Sequence, residues 1–392
     1  VGAWCAAATW RLWCGAAARR QMRAMLDGVA GEDARIVITG ASSGIGFELA
    51  EQFSLDPRVS LLLGSCEGDR CTSRSGRVGD RARALRPCPA RRCVAPLDLL
   101  DLDSVQRFAL EAHEFLLNGG PGLRLLINNA GLKQTPGGKT KFDISPTWQV
   151  NFLGPFLLTE LLAGHREAAS AQARAAMRRT GSGPWPPPST TALRVVQVAS
   201  GRENESLLDQ ATMEAAVRAE PSGTEYADSK RALLLWTSVR AQSLALRGDV
   251  FVHAANPGRI DTRLGLYWLP EWAWRLSKWY RMVRYRTVAE GALAVAAPGL
   301  HRQAAGKFGH YSSGERMLED LVVWRMPDKK LSVQLVRWAS QATALSARAG
   351  GRPLSETGRP LSLTDLQAMA PVEEDMWSTQ ERRLHHGTSR PD

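Results

Sequence analysis

The chain has 392 residues, of which 44% are hydrophobic and 23% charged, with a formal net charge of +11. This apolar content excludes collagen-like and wholly disordered chains, and six cysteines are too few for a disulfide-held scaffold. Much of the excess positive charge lies in low-complexity segments, so we interpret it as solvated surface and expect no nucleic-acid partner.

Residues 1–32 form a distinct N-terminal segment. Up to residue 18 it is apolar except for Arg11, and Arg19, Arg20 and Arg23 follow. A positive flank after a short apolar stretch is typical of a truncated membrane anchor, whereas the interrupting arginine and the many alanines favour a surface helix. Both interpretations stay open. The compartment is accordingly undecided between the cytoplasm and the cytoplasmic face of a membrane.

From residue 33 onward, apolar runs of strand length alternate with helical patterns. The runs begin near Ala34, Arg58, Cys93, Leu123, Leu193 and Asp249. Such alternation predicts one α/β domain over 33–315, a doubly wound (Rossmann) parallel sheet with helices on both faces. Within it, the Arg-rich stretch 67–92 and the Pro-rich stretch 171–191 are interpreted as insertions. We expect a helical extension at 316–344 and a disordered tail at 345–392.

A glycine-rich turn lies where the first predicted strand meets a helix. Gly40 permits the tight turn, Gly44 allows close approach of a diphosphate, and Gly46 allows the helix to pack on the sheet. The helix N-terminus offers unpaired N–H groups to phosphates. The predicted cradle consists of Gly40, Ser42, Ser43, Gly44, Ile45 and Gly46.

The G-x3-G-x-G spacing after Thr39 is similar to that of the short-chain dehydrogenase/reductase family. Further matches follow in family order: Asp98-Leu99, Asn128-Asn129-Ala130-Gly131, Asn151, Ser200, the Tyr226-x3-Lys230 pair, and Asn256-Pro257-Gly258 through Thr262. The 26-residue separation of Ser200 from Tyr226 and the R-T-V-A-E-G-A run at 286–292 resemble the retinol-dehydrogenase-like branch. Extended epimerase-like members carry G-x2-G-x2-G instead, so epimerisation is set aside.

This resemblance implies a nicotinamide cofactor. The residues that it assigns to cofactor binding beyond the cradle are Asp98 and Leu99 beside the adenine ring, Asn129, Ala130, Gly131, Tyr226, Lys230, Pro257, Gly258, Ile260 and Thr262. An acidic residue at the end of the second strand would bind the ribose 2′-hydroxyl and repel a 2′-phosphate. Ser65 lies near that position, which favours NADP, whereas an alignment that brings in Glu67 would favour NAD.

Tyr226 and Lys230 are four residues apart on a predicted helix and therefore share a face. A neighbouring ammonium favours the phenolate, so we expect Lys230 to lower the pKa of Tyr226 and to make it a general acid/base. The resemblance implies that Lys230 also binds the ribose, that Ser200 holds the substrate oxygen and that Asn151 organises a water relay. The predicted function is NAD(P)(H)-dependent interconversion of a carbonyl and an alcohol; the alternative is a catalytically weak nucleotide-binding scaffold or sensor.

The segment after Thr262, which in this family covers the substrate pocket, is rich in tryptophan. On a helix, one face would hold Trp272, Leu276, Trp279 and Val283, and another Arg275, Lys278, Arg281 and Arg284. Such a lid suits a lipophilic substrate such as a retinoid, steroid or lipid aldehyde. It also fits a membrane surface, an ordinary packed helix or a homo-oligomer contact.

Two C-x4-C pairs raise the question of a metal. They are formed by Cys66, Cys71, Cys88 and Cys93. Their spacing is looser than that of most zinc sites and their surroundings are of low complexity, so no metal is expected.

Overall fold

The computed structural model of the chain describes residues 2–65, 92–133, 138–166, 192–209, 223–245, 250–262, 277–302, 309–313, 319–320 and 329–344, and the single residues Met213, Leu264 and Trp272. The first elements are α1 (Gly2–Asp27), β1 (Ala34–Thr39), α2 (Gly44–Phe53), β2 (Val59–Ser65), β3 (Arg92–Pro96), α3 (Leu102–Leu117) and β4 (Arg124–Asn128). Helix α4 begins at Pro146–Trp148, passes through a π-helical turn at Gln149–Leu153 and continues over 154–166. Then follow β5 (Leu193–Val198), a 3-10 turn (Gly201–Glu205), α5 (Glu225–Ala245), β6 (Val250–Asn256), α6 (Lys278–Arg284), α7 (Val288–Leu300), β7 (His310–Ser313), β8 (Glu319–Asp320) and α8 (Lys329–Ala342).

The described strands form one sheet in the order β3-β2-β1-β4-β5-β6-β7-β8. Seven strands run parallel, which confirms the predicted doubly wound parallel sheet. Strand β7 and the two-residue strand β8, which is antiparallel to β7, were not among the six predicted runs. The strand order reverses at β1, which pairs with both β2 and β4. A crevice at such a reversal, beyond the carboxyl ends of the strands, is where doubly wound proteins bind ligands.

The two faces of the sheet are covered by different helices. On β1, Ile36 and Ile38 pack into a cluster with α2 and α7, whereas Val37 points into a cluster with α3 and α4. Every residue of β4 and of β5 is buried. This two-sided burial explains why the strands are continuous apolar runs rather than alternating ones.

The N-terminal helix α1 packs on the outside of α7. Its residues Ala18, Met22 and Leu26 are buried in the same cluster as α7, and Arg19 forms an ion pair with Glu48 of α2. No described helix combines the length and the hydrophobicity that crossing a membrane requires. The buried contacts with α7 and the ion pair with α2 dock α1 along the domain.

The other side of the molecule holds a cluster of aromatic side chains. It contains Trp148, Phe152 and Phe156 of α4, Trp236 of α5 and Trp338 of α8. Their rings lie within 5.4–6.4 Å of their neighbours, mostly edge-on or tilted. This packing fixes the two helices that carry Asn151 and Tyr226.

The predicted insertions fall mainly in residues 66–91 and 167–191, which lie outside the described part of the chain, as does the tail 345–392. Arg92, the last residue of the first insertion, begins β3 instead. Helix α8 lies inside the predicted extension 316–344. The domain boundaries stay predictions.

We expect acid to destabilise the fold through His253, which is fully buried in β6. Burial holds the pKa of His253 well below its usual range, with His310 and Arg194 adding repulsion. The unfolded imidazole takes up a proton below about pH 6.5 and the folded one does not, so stability present at pH 7 falls by up to about 2 kcal/mol at pH 5. Thermal unfolding at pH 7 and pH 5 checks this prediction. The decrease in stability between the two pH values should be smaller in His253→Gln than in the parent; an equal decrease would show that His253 is not its cause.

Candidate active site

The glycine-rich turn has the backbone that a phosphate cradle requires. Gly40 and Gly44 have φ values of +67° and +56°, in the left-handed region. A Cβ atom on Gly46 would lie 2.4 Å from both the Gly40 carbonyl oxygen and Asn129 Nδ2. Helix α2 begins at Gly44, and the exposed N-cap Ser43 makes no side-chain hydrogen bond to it, with Ser42 and Ile45 half-buried beside it. The first N–H groups of α2 thus lack a side-chain cap and suit an anion.

The end of β4 is tied to this turn. Thr39 Oγ1 accepts hydrogen bonds from the backbone N–H groups of Asn129 and Ala130, both at 3.1 Å. The Asn129 side-chain amide donates to the carbonyls of Thr39 at 3.0 Å and of Gly40 at 3.2 Å. Asn128 instead donates from Nδ2 to Thr159 Oγ1 at 3.1 Å. The two asparagines therefore fix the strand end beside the crevice.

The segment after β6 closes over the glycine turn. Thr262 Cγ2 lies 3.4 Å from the position that a Cβ on Gly44 would take. Ile260 and Ile45 both approach Gly291 of α7, within 2.9 and 3.3 Å of its Cβ position. The preceding bend is set by Gly258, whose φ is +83° and whose N–H donates to Asn256 Oδ1 at 3.0 Å, next to Pro257.

Asp98 and Leu99 follow β3 on the other flank of the crevice. Asp98 Oδ1 accepts from the N–H of Leu100 at 2.9 Å, so its carboxylate stabilises a local turn. Leu99 is 6% exposed, and its carbonyl accepts from Gln149 Nε2 at 3.3 Å. These contacts hold the strand end in place.

The four residues predicted to be catalytic fall into two pairs, of which Asn151 and Lys230 lie next to Gly131. A Cβ on Gly131 would lie 3.3 Å from Asn151 Oδ1 and 3.7 Å from Lys230 Nζ. The side chain of Ser200, which follows β5, is hydrogen-bonded to that of Tyr226. Because Ala130, next to Gly131, contacts Gly40, this group and the glycine turn lie at the same edge of the sheet.

Asn151 is held rigidly in the π-helical turn. Its side-chain amide donates to the Leu132 carbonyl at 2.8 Å and to Ser229 Oγ at 3.1 Å, and its Oδ1 accepts from the Leu132 N–H at 2.8 Å. Isolated π turns occur frequently at functional sites. The π-helical turn thus directs the Asn151 side chain toward the segment that follows β4.

The pKa of Tyr226 differs from the prediction. The pKa is raised because the phenol is desolvated, which outweighs the lowering by the Ser200 hydrogen bond and by Arg202; the charge of Glu203 raises it slightly further. Lys230 is 4% exposed, and burial lowers its pKa from 10.5 to about 8. Its Nζ donates to the Val198 carbonyl at 2.7 Å. The expected lowering of the Tyr226 pKa by Lys230 was wrong for this arrangement, because the ammonium is buried and turned to that carbonyl.

Two further residues organise the site and were not assigned to it from the sequence. Ser229 supports Asn151, and its place directly before Lys230 was a usable signal. Asp228, which is 1% exposed, is the second of these residues. It accepts hydrogen bonds from Ser206, Leu207 and Thr224 at 2.7, 2.9 and 2.6 Å. Asp228 thus joins the segment after Ser200 to the start of α5, a pairing that no local pattern reveals.

The Trp-rich segment after Thr262 is described only at Leu264, at Trp272 and from Ser277 onward. Trp272 and Val283 are 67% and 59% exposed, and Arg284 is exposed as well. Arg281, predicted on the basic face of this helix, is 8% exposed and paired with Asp261 at 2.8 Å, because the α6 helix lies against the segment after β6. The other residues of the predicted faces lie outside the described side chains: Arg275, Leu276, Lys278 and Trp279.

The described residues contain no group of three His, Cys, Asp or Glu side chains that could hold a metal ion. The side chains of the two C-x4-C pairs lie outside the described part of the chain.

The chain is similar to known proteins of one family. The family model of short chain dehydrogenases matches residues 34–173. The polyprenol dehydrogenase of Mus musculus is 31% identical over 322 residues, which cover 80% of this chain and 84% of that protein. Retinol dehydrogenase 14 of Homo sapiens is 36% identical over 138 residues, covering 33% of this chain and 39% of that protein.

A solved structure of an uncharacterized protein from Mycobacterium paratuberculosis shares the fold. Its TM-score is 0.50 at 22% identity, and the match covers 81% of this chain and 96% of that one.

Proposed function

The chain belongs to the short-chain dehydrogenase family of oxidoreductases, and we propose that it interconverts a carbonyl and an alcohol on a lipophilic small molecule through Tyr226. The observation that carries this proposal is the convergence of Tyr226, Ser200, Lys230 and Asn151 beside the glycine turn. The relatives named for polyprenol and retinol, both isoprenoid alcohols, support a lipophilic substrate.

The crevice fits a nicotinamide dinucleotide. Gly40 and Gly44 give the turn the left-handed backbone that a phosphate cradle uses, and the start of α2 offers N–H groups without a side-chain cap. The dinucleotide would lie against the strand ends at Asp98 and Leu99, Asn129 to Gly131, and Pro257 to Thr262. When bound, it supplies or accepts the hydride. Strand β2 ends at Ser65, with no acidic residue to oppose a 2′-phosphate, which supports NADP over NAD; Glu67 lies outside the described residues.

The proton chemistry falls to this chain's own side chains. The Tyr226 hydroxyl gives a proton to a carbonyl oxygen, or removes it from an alcohol in the reverse direction. Ser200 holds that oxygen by a hydrogen bond while staying bonded to the phenol. Lys230 binds the ribose hydroxyls once it turns from the Val198 carbonyl, and Asn151 organises a water path from Lys230 to solvent.

Turnover tests the proposal against its alternative. Purified full-length chain is mixed with NADPH or NADH and a panel of retinoid, steroid and isoprenoid aldehydes, and the absorbance of the reduced nicotinamide is followed. Oxidation of NADPH in preference to NADH by an isoprenoid or retinoid aldehyde is expected. Tight binding of a cofactor without turnover of any panel member would favour the nucleotide-binding scaffold or sensor instead.

We further propose that α1 and α6 together form a membrane-facing surface. Trp10, Leu12 and Trp13 are 64%, 76% and 58% exposed, and Tyr280 and Val283 of α6 are 49% and 59% exposed. The rings of Trp10 and Trp13 stack at 5.4 Å. Asp27 is the one acidic residue of α1, and α6 has no acidic residue, whereas both helices carry basic residues. Their net positive charge suits anionic lipid headgroups.

We expect the chain to float with anionic vesicles, and the double change Trp10→Ser and Trp13→Ser to reduce the bound fraction several-fold. Leu55→Ser is the matched control, since Leu55 is 59% exposed and lies outside this surface. If the double variant floats as well as the parent, the surface does not bind lipid. Dimers in light scattering that the same variant abolishes would assign the surface to a homo-oligomer.

A further inference from the structure

We infer that Arg11, on the N-terminal helix, is a positioning residue for the segment after β6 that closes over the glycine turn. The inference rests on the proposed function, because it takes that segment to bind the cofactor. It gives α1 a part in cofactor affinity, although α1 lies outside the crevice.

Arg11 caps the end of α6. Its Nη1 donates to the backbone carbonyls of Arg281 at 3.1 Å, Met282 at 3.0 Å and Tyr285 at 2.8 Å. The last carbonyls of a helix have no partner within it, and a cation there also interacts favourably with the helix dipole. The Arg11 side chain is 19% exposed, so these bonds are largely shielded from water. Arg11 therefore fixes where α6 ends.

The same guanidinium reaches the segment after β6. Arg11 Nη2 lies 3.4 Å from Asp261 Oδ2, and Arg281 Nε donates to Asp261 Oδ1 at 2.8 Å. The Asp261 N–H donates to the carbonyl of Arg286 at 3.2 Å. One carboxylate is thus held by a side chain from α1 and a side chain from α6, and its backbone is bonded to the segment that follows α6.

Asp261 directly precedes a residue that lies against the glycine turn. Its neighbours are Thr262, which lies against Gly44, and Ile260, which packs on Gly291 of α7. Because Thr262 is adjacent to Asp261 in the chain, a shift of the Asp261 backbone moves Thr262 relative to the glycine turn. The contacts run without a break from Arg11 through α6 and Asp261 to Gly44.

Arg19 provides a matched comparison on the same helix. It forms two hydrogen bonds with Glu48, at 2.6 and 3.1 Å, and so holds α1 against α2. Neither Arg19 nor Glu48 contacts Asp261 or α6 in the described interactions. Removing Arg19 loosens α1 while leaving the Asp261 contacts in place.

The test measures NADPH affinity by fluorescence titration in the full chain. We expect Arg11→Gln and Asp261→Asn each to weaken NADPH binding about tenfold, and the double variant to lose little more, because the two changes break one linkage. Arg11→Lys, which can reach a carbonyl but cannot serve three carbonyls and a carboxylate together, should fall between. Arg19→Gln should lower the melting temperature as much as Arg11→Gln does, yet bind NADPH like the parent.

NADPH affinity in Arg11→Gln within about twofold of the parent would overturn the inference, as would an equal loss in Arg19→Gln, since α1 would then act through stability alone. A parent chain that binds neither NADPH nor NADH would overturn the proposed function, and this inference with it. Because the parent is measured first, the two failures are distinguishable.

Discussion

Tyr226→Phe should bind NADPH like the parent chain and lose turnover of a lipophilic aldehyde by about a thousandfold, the usual scale for removing a general acid. The phenyl ring keeps the volume of the half-buried side chain, and only the hydroxyl that bonds to Ser200 is lost. The measurement is kcat beside the NADPH dissociation constant and the melting temperature. Turnover should fall while the other two stay unchanged.

Tyr280→Phe is the control for this change. Tyr280 is 49% exposed on α6 and its ring packs against that of Tyr285. The change removes the same hydroxyl from a residue with no proposed role in proton transfer, so turnover should match that of the parent. If Tyr226→Phe keeps more than about a tenth of the parent turnover, its hydroxyl is not the proton donor, since acid catalysis contributes at least about a hundredfold.

Lys230→Met should raise stability and abolish turnover together. Lys230 is 4% exposed, and burial lowers its pKa to about 8 because the charged form is desolvated. Its folded pKa lies below the unfolded value, so the unfolded chain binds more protons between these values. The buried charge therefore lowers the free energy of unfolding by about 3 kcal/mol below pH 8, and this loss disappears as the pH rises toward 10. Methionine has a similar shape and no charge.

Thermal unfolding at pH 7 and pH 10 checks this prediction. Lys230→Met should melt several degrees higher at pH 7, with part of the gain offset by the Val198 carbonyl that loses its donor, and the difference should shrink at pH 10. Lys141→Met is the control, because Lys141 is exposed and paired with Asp101 and Asp103, so its removal gives no gain. Equal or lower stability of Lys230→Met at pH 7 would contradict a buried, penalised ammonium.

The parts of the site that the sequence predicted are those set by local chemistry. Glycine readily adopts the positive φ values found at Gly40 and Gly44, and a four-residue spacing puts Tyr226 and Lys230 on one face of a helix. The strands were readable because burial on both faces makes each one a continuous apolar run. Their parallel order follows from the helices between them, and the structure confirms it.

The parts that the sequence could not predict depend on contacts between distant residues. The pKa of Lys230 is set by burial under neighbouring elements, and the pairing of Arg281 with Asp261 joins a helix to a loop 20 residues away. Arg11 reads as an interruption of an apolar segment, whereas its partners lie about 270 residues further along the chain. Strand β8 has two residues, too few for any period to appear.

Hydride transfer itself can be followed with NADPH that carries deuterium at both positions of its nicotinamide C4. After reaction of the parent chain with an isoprenoid aldehyde, the product alcohol is analysed by mass spectrometry. A crevice in which Tyr226 protonates the oxygen while the cofactor reduces the carbon requires one deuterium, located on the carbon that bears the new hydroxyl. An alcohol formed without deuterium, or cofactor consumed with no alcohol formed, would contradict direct reduction at this site.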